Sequence, residues 1–457
     1  MASVECAVGE VKLHEYVAEL MRQARAASTA RKAELVQARV EAVVIEQAGR
    51  APGQRLRPAE EGLSAWRCSR CGSQRQCDFN YNGSYRRTVV FADGSAVLRI
   101  PRLRCRCGGN VPADFGVALA PRQRHWYDLV LEVLGLVVEG CSLRGVQRHL
   151  ARRGVQVGLS SLARMLGRCA GVEIRSELAT GLEAISLDAA FWRVQDGPRA
   201  HLYVHEVRRR DQPLVRGGRE VAWYRTGKVL AMGLAEEESQ SAWEAVLEQA
   251  IASGSPLTSE ELFVASDGNA GLLGAVDLQL PWSIRQRCVW HIGYRTRERV
   301  QRAEHRERLQ RDAVWVFGAE DLGSARQRLS LFMSRWELLE PEAAESVRRK
   351  FEGGVQYLRQ PARLVRPRTI AISERYNQEA KRRLRPGRAF GSERNLQAML
   401  RLLALRHNCI LDGTDWLQRT AEWLWPMPTT APTTQQQQRP NTPHTQTGER
   451  NQAPYAL

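Results

Sequence analysis

Three carboxylates occupy positions where an acid needs a reason. Asp188 interrupts the apolar run AISLDAAFWRV, where a lone charge inside a strand is costly unless it faces a site. Asp267 follows the strand-like run 262–266 and is itself followed by Gly268 and Asn269. That is a strand-to-helix turn, the place where open α/β sheets set functional side chains. Glu374 lies in TIAISERYNQEAKRRLRPGR, at the start of a helix that is otherwise strongly basic. Each acid alone also reads as a cap or a salt-bridged residue. Together, two acids from neighbouring strands and one from a helix can hold two Mg²⁺ ions, or Mn²⁺, ~3.5–4 Å apart. Such a pair activates a water or 3′-hydroxyl and stabilises the leaving oxygen of a phosphodiester.

A second constellation lies upstream. Half of the ten cysteines fall between positions 68 and 107. Cys68-x2-Cys71 and Cys105-x-Cys107 offer four thiolates from two tight turns on either side of a hairpin, a donor set suited to tetrahedral zinc. A unit of about 50 residues has little core, so a structural Zn²⁺ there contributes folding energy. Cys77 is an uncommitted fifth thiol, and four unrelated free thiols remain the alternative. Cys288 and His291 are two further possible ligands, but with no second pair nearby they read as a buried pair shaping the active-site wall.

The charge balance indicates what such a site acts on. Lys and Arg total 67 against 50 Asp and Glu, a formal charge of +17. Five of the basic residues are Lys and 62 are Arg. Arg grips phosphate oxygens bidentately, so the excess suits a polyanion, although a GC-rich genome also favours Arg codons. Nine Arg against three Glu lie between 285 and 311. Arg285, Arg287 and Arg295 beside the second acid, and Lys381, Arg382 and Arg383 beside the third, are the candidate grips on a DNA backbone. No apolar run reaches the roughly 18–20 residues that span a bilayer, and the first residues lack a secretory pattern. A cytoplasmic protein, associated with the nucleoid when bound to DNA, is expected.

The pattern of the chain supplies the elements that must position these groups. Residues 1–64 read as a helix and a linker, and 65–115 as a zinc-ribbon-like unit with strands at TVVF and AVLRI. Residues 120–175 read as a helix-turn-helix. Its second helix carries Ser160, Ser161, Arg164 and Arg168, and Arg164 and Arg168 are its candidate DNA contacts. From 182 to 425 a strand-rich stretch gives way to helices, with SIRQRCVWH read as its last strand. A helical, Arg-rich segment at about 294–365 separates that strand from Glu374. The Pro/Thr/Gln-rich tail 426–457 lacks the apolar content for a core.

These segments resemble a known family. LFVASDGNAGLLGAVDLQLPWSIRQRCVWHIGYRTR is similar to the second-Asp region of the Mutator-like superfamily of DDE transposases, with S-D-G, G-L-x-x-A and Q-R-C-x-x-H in order. ERYNQEAKRR resembles its third-acid segment, E-R-x-N-x-E-x-K-R-R, and the family's first Asp maps to Asp188. The cysteine pairs resemble the zinc-ribbon front end of some bacterial insertion-sequence transposases. The family often has T-T-N before the Glu, where this chain has Thr369-Ile370-Ala371. The resemblance implies a multidomain α+β and α/β chain. Its order would be N-terminal helix, zinc ribbon, helix-turn-helix and a ribonuclease-H-like DDE domain whose all-helical insertion fills the gap of 107 positions from Asp267 to Glu374. It also implies binding to double-stranded DNA, both transposon ends and target, as a homodimer or larger assembly. Mg²⁺-dependent 3′-end cleavage and strand transfer would follow. A non-catalytic repressor derived from a transposase is the rival, and a hydrolase of RNA–DNA hybrids is disfavoured by the N-terminal modules.

Overall fold

Ala184–Val194 (β4) is buried through its first four residues and alternates only beyond Asp188, as expected of a strand covered on both faces at one end and opening onto a cleft at the other. It is the central strand of a five-stranded mixed sheet in this computed structural model, which describes residues 28–48, 68–73, 79–111, 124–174, 181–216, 219–255, 257, 261–384 and 390–424. The helix expected before residue 28, the linker at 50–64, Cys77 and the tail from 426 lie outside the described residues.

On one side β4 pairs antiparallel with β5 (Gly197–Arg216), which pairs antiparallel with β6 (Arg219–Ala235). On the other side it pairs in parallel with β7 (Phe263–Ser266), and β7 with β8 (Ile284–Arg287). A parallel neighbour needs a crossover. α5 (Gln240–Ala252) lies between β6 and β7, and α6 (Ala270–Gln279) between β7 and β8. Trp243, Val246, Leu247, Leu272 and Val276 of these helices pack with Leu187, Leu202 and Val204 of the sheet.

The opposite face is covered by α12 (Ala371–Leu384) and α13 (Glu393–Asp412), whose Tyr376, Ala380, Leu396 and Leu400 meet Ala190, Tyr203 and Val229. The paired helices belong to the same core. α2 (Tyr127–Val138), α3 (Leu143–Arg152) and α4 (Leu159–Gly167) bury Val133, Leu150, Leu162 and Leu166 in it. Arg394 donates to the Gly167 carbonyl at 2.9 Å and Arg401 to that of Val172 at 2.9 Å, fastening α4 and the following turn to α13.

The expected helical segment after β8 begins earlier than its sequence suggests. The β-like run SIRQRCVWH stops being a strand at Arg287. Cys288 is the N-cap of α7 (Val289–Arg297), so His291 is helical. The β-branched and aromatic residues after Cys288 read as strand, but tertiary packing of Val289 and Ile292 overrides that preference. α8 (Arg306–Val316), α9 (Leu322–Trp336), α10 (Pro341–Gly354) and α11 (Gln356–Arg359) follow, with a core of their own built on Leu309, Phe317, Phe332, Trp336 and Phe351.

At the N-terminal end, β1 (Phe79–Phe91) and β2 (Gly94–Cys105) form a hairpin joined by Ala92-Asp93, with β3 (Asn110–Val111) added at its edge. TVVF and AVLRI are only its tip, and pairing carries the strands on through polar residues to Cys105, with a register shift between Tyr81 and Ser84. α1 (Thr29–Ala48) crosses it and buries Val36 against Phe91 and Ile100. α1 is locked by Lys32, whose ammonium is nearly inaccessible and reaches Asp93 at 2.9 Å and Asp128 at 2.8 Å. One cation therefore ties helix, hairpin turn and α2 together.

Removing one member of a buried ion pair strands the other charges. Lys32→Met should destabilise the protein by about 3 kcal/mol in denaturant unfolding. Adding Asp128→Asn should recover part of that loss. A change within 0.5 kcal/mol for Lys32→Met would mean that the triad contributes nothing measurable.

Candidate active site

The parallel register of β4 and β7 aligns Leu187 with Ser266, so the next residues on the two strands, Asp188 and Asp267, emerge side by side. Beyond Ser266 the chain turns sharply. Asp267 Oδ1 accepts the Asn269 N–H at 2.9 Å, and Asn269 Oδ1 accepts the Gly271 N–H at 2.8 Å, capping α6. Gly268 has φ +79°, and a Cβ there would lie 2.5 Å from the Arg287 guanidinium, which donates to the Gly268 carbonyl at 2.9 Å. The turn therefore needs glycine for its conformation, and a side chain there would also have to displace the Arg287 guanidinium. Arg295 donates to Asp267 Oδ2 at 2.5 Å from α7.

The third acid arrives on α12. Ser373 donates to the Ser186 hydroxyl at 2.7 Å, and one turn later Asn377 donates to Asp188 Oδ2 at 3.0 Å. This i, i+4 pair docks the helix on β4 and brings Glu374 toward the strand ends, where its carboxylate lies 3.8 Å from His291 Nε2. The Tyr203 hydroxyl, opposite Asp188 on β5, donates to the same Oδ2 at 2.7 Å and is also bonded to Asn377. Asp188 Oδ1 accepts the Ala189 N–H at 2.9 Å.

The electrostatics follow from this crowding. Burial pushes the Asp188 carboxyl up to about 7; the donors on it pull the other way, and the charges of Asp267 and Glu374 push further up. Burial lowers His291 below the ordinary imidazole value against the pull of Glu374 and Asp267, so it is neutral at pH 7. Glu238, raised by burial and by the Asp267 charge, receives the Trp243 indole N–H at 3.1 Å. Asp188, Glu238, Asp267, His291 and Arg295 share an open cleft of about 310 Å³.

The other residues singled out in the sequence divide. Cys288 is fully buried, with its thiol pushed up to about 11 by burial. Its sulfur accepts the Ile370 N–H at 3.5 Å, and its own N–H bonds to Ser266, so it joins β7 to the entry of α12. Arg287 and Arg383 are drawn inward, Arg383 onto Glu139, Glu379 and the Val138 carbonyl. Arg285 pairs with Asp277, and Arg382 with Glu379 at 3.0 Å. Lys381, Arg164 and Arg168 are exposed. Sequence reasoning missed Tyr203, Asn377 and Glu238. Asn377 sits in a quoted motif, and the alternation His201, Tyr203, His205 marks a polar strand face. Glu238, the last of three successive Glu, gives no signal.

The four sulfurs of Cys68, Cys71, Cys105 and Cys107 all lie within 4.8 Å of one another. The backbone N–H groups of Cys71 and Arg70 pull the Cys68 thiol down to about 6, toward the thiolate that metals bind. A Cβ at Gly109 would come within 2.8 Å of Cys68 Sγ, so the second turn closes on the sulfurs only with glycine there. Four soft donors in one shell fit zinc.

Two outcomes follow from these sites. In chelator, Asp188→Asn should raise stability by about 2 kcal/mol at pH 8. An acid with a raised pKa keeps its proton in the folded state while the unfolded chain loses it, so wild-type stability falls between about pH 4 and pH 7. The advantage of the variant should therefore vanish near pH 4, and an equal advantage at both pH values would refute the assignment. For the quartet, purified protein should carry about one zinc per chain by elemental analysis. Cys68→Ser should lose the metal while Cys141→Ser, exposed and outside the quartet, keeps it. Full zinc in Cys68→Ser would exclude the site.

Comparisons with known proteins cover all of these parts. The chain is 24% identical over 330 residues to the transposase for insertion sequence element ISRM5 of Rhizobium meliloti (strain 1021), spanning 71% of this chain and 78% of that one. It is 22% identical over 257 residues to the transposase for insertion sequence element IS905 of Lactococcus lactis subsp. lactis (strain IL1403), spanning 56% and 61%. The family described as "Transposase, Mutator family" matches residues 14–410, a stretch that takes in the cysteine quartet, the paired helices, the sheet with its two aspartates and the Glu374 helix. The chain belongs to the Mutator family of transposases.

Proposed function

We propose that the protein recognises the ends of its own mobile element, cleaves their 3′ strands and joins the freed 3′-hydroxyls to target DNA. The observation that carries this reading is that Asp188 and Asp267 emerge together at the ends of β4 and β7 and line one cleft, while Glu374 of α12 acts on Asp188 electrostatically and lies 3.8 Å from His291 of the same cleft. Their donor set is all oxygen, and Asp188 is pushed up to about 7 by burial, with the charges of the other two acids adding to the push. Such a cluster suits a hard cation. Asp188, Asp267 and Glu374 would hold Mg²⁺ or Mn²⁺, which supplies charge neutralisation and activation of the attacking oxygen.

The chain's own residues do the rest. Tyr203 and Asn377 fix the Asp188 carboxylate, Arg287 and Gly268 fix the turn that carries Asp267, and His291 stands neutral against Glu374. Arg295 reaches Asp267 in the protein alone and is placed to turn toward a phosphate. The segment 65–115, held by Zn²⁺ on its four cysteines, and the helices of 120–175, with Arg164 and Arg168, would bind the terminal repeats. The remainder, 182–425 with its helical insertion, would be the ribonuclease-H-like DDE unit. Joining two ends calls for a dimer or larger assembly on DNA, acting in the cytoplasm on the nucleoid.

Purified protein should cleave duplexes carrying the element's ends in Mg²⁺ or Mn²⁺. Asp188→Ala, Asp267→Ala and Glu374→Ala should each lose on the order of a thousand-fold in rate, with duplex affinity within a few-fold of wild type. Asp277→Ala, which removes only a surface partner of Arg285, should stay active. Full cleavage by all three acid variants would defeat the catalytic reading and favour a DNA-binding repressor.

A further inference from the structure

The cleft has one wall that the acids do not explain. Trp290 and Tyr294, one turn apart on α7, lie stacked with ring centroids 5.3 Å apart and planes at 11°. Trp290 is 46% exposed and Tyr294 41%. The other face of α7 buries Val289, Ile292, Gly293 and Thr296, so the helix is already anchored without these rings. Phe191, three residues beyond Asp188 on β4, is 58% exposed and lines the same cleft. Large aromatics grouped in the open at a site usually mark a surface that something covers.

The surroundings narrow the choice of occupant. The rings share their cleft with the acids Asp188, Glu238, Asp267 and Glu298 and with Arg295, which follows Tyr294 directly on α7 and pairs with Asp267. A purely apolar occupant would strand these charges. A flat π-system on an anionic backbone matches both parts, stacking on the rings and meeting the Arg295 guanidinium and the cation that the acids would hold. A base inside a duplex has no free face, so the occupant must be unpaired.

We propose that Trp290 and Tyr294 form a stacking platform for an unpaired nucleobase of the DNA strand lying in the cleft. This rests on the strand-cleavage reading above, because it places an opened DNA end next to the acids. The rings bind and orient the strand and take no part in the chemistry.

The test uses the full-length protein and two fluorescein-labelled single strands, a run of thymidines and the same strand built from abasic residues. Wild type should bind the thymidine strand about ten-fold more tightly than the abasic one, the scale of base–aromatic stacking. Trp290→Ala should erase most of that preference, Trp290→Phe should keep most of it, and affinity for the abasic strand should not change in either. Both variants should melt with wild type, since neither ring is buried. A thymidine preference undiminished in Trp290→Ala and in Tyr294→Ala would overturn the platform. So would a variant whose preference is intact but whose oligomeric state changes, which would identify the rings as a contact between copies. If wild type cleaves duplex ends and these variants discriminate as it does, the platform alone fails. If wild type binds neither strand nor duplex, the cleavage reading fails with it.

Discussion

The candidate site depends on a half-buried carboxylate at the edge of an open cleft. Asp188 is central because both halves of the site are assembled against it. Tyr203 reaches it from β5 and Asn377 from α12, and both donate to Oδ2. If α12 did not dock there, Glu374 would have no reason to approach β7, since the helix touches the sheet through Ser373, Asn377 and the apolar side chains behind them. The donors offset only part of the free-energy cost of burying this acid, whose carboxyl is still pushed up to about 7.

Behind Asp188 the sheet is filled with aromatic and imidazole rings. His201, Tyr203 and His205 alternate along β5, and His205 stacks edge-on to Tyr376 with centroids 4.6 Å apart. Burial lowers His201 to about 3 and His205 well below its ordinary value, so both are neutral rings filling space. Their ring nitrogens have no hydrogen-bond partner among the described residues, which is costly in a core. The arrangement supports Tyr203 on both sides and so fixes the direction of the hydroxyl that holds Asp188.

Arginine has two uses in this chain. Composition alone suggests DNA contacts, yet several guanidinium groups bind backbone carbonyls at junctions between segments. Arg394 and Arg401 tie α13 to the paired helices, Arg209 meets Ala362 at 3.1 Å, and Arg366 meets Gln360 at 2.8 Å. A planar fork with five donors satisfies loop carbonyls that no regular ladder reaches. The surplus charge is therefore shared between internal ties and the exposed helices near the cleft.

The sequence by itself determined the elements and the acids at their ends. The apolar run around Asp188, the turn glycine after Asp267 and the spacing of the cysteine pairs are local constraints, readable because each follows from a strand period, a positive φ or a ligand bite. The family resemblance around Asp267 and Glu374 was legible for the same reason, as it lies in contiguous motifs. What lies between elements was decided by tertiary structure. Val289 to His291 look like strand until Val289 and Ile292 find a helical core. Arg287 and Arg383 look like DNA contacts until the turn after the neighbouring strand brings Gly268 to one and a distant segment brings Glu139 to the other. Tyr203 and Asn377 acquire meaning only when β5 and α12 meet Asp188. Contacts between different elements, such as Asn377 with Asp188 across 189 positions and Arg383 with Glu139 across 244, have no local period, and only packing brings them together.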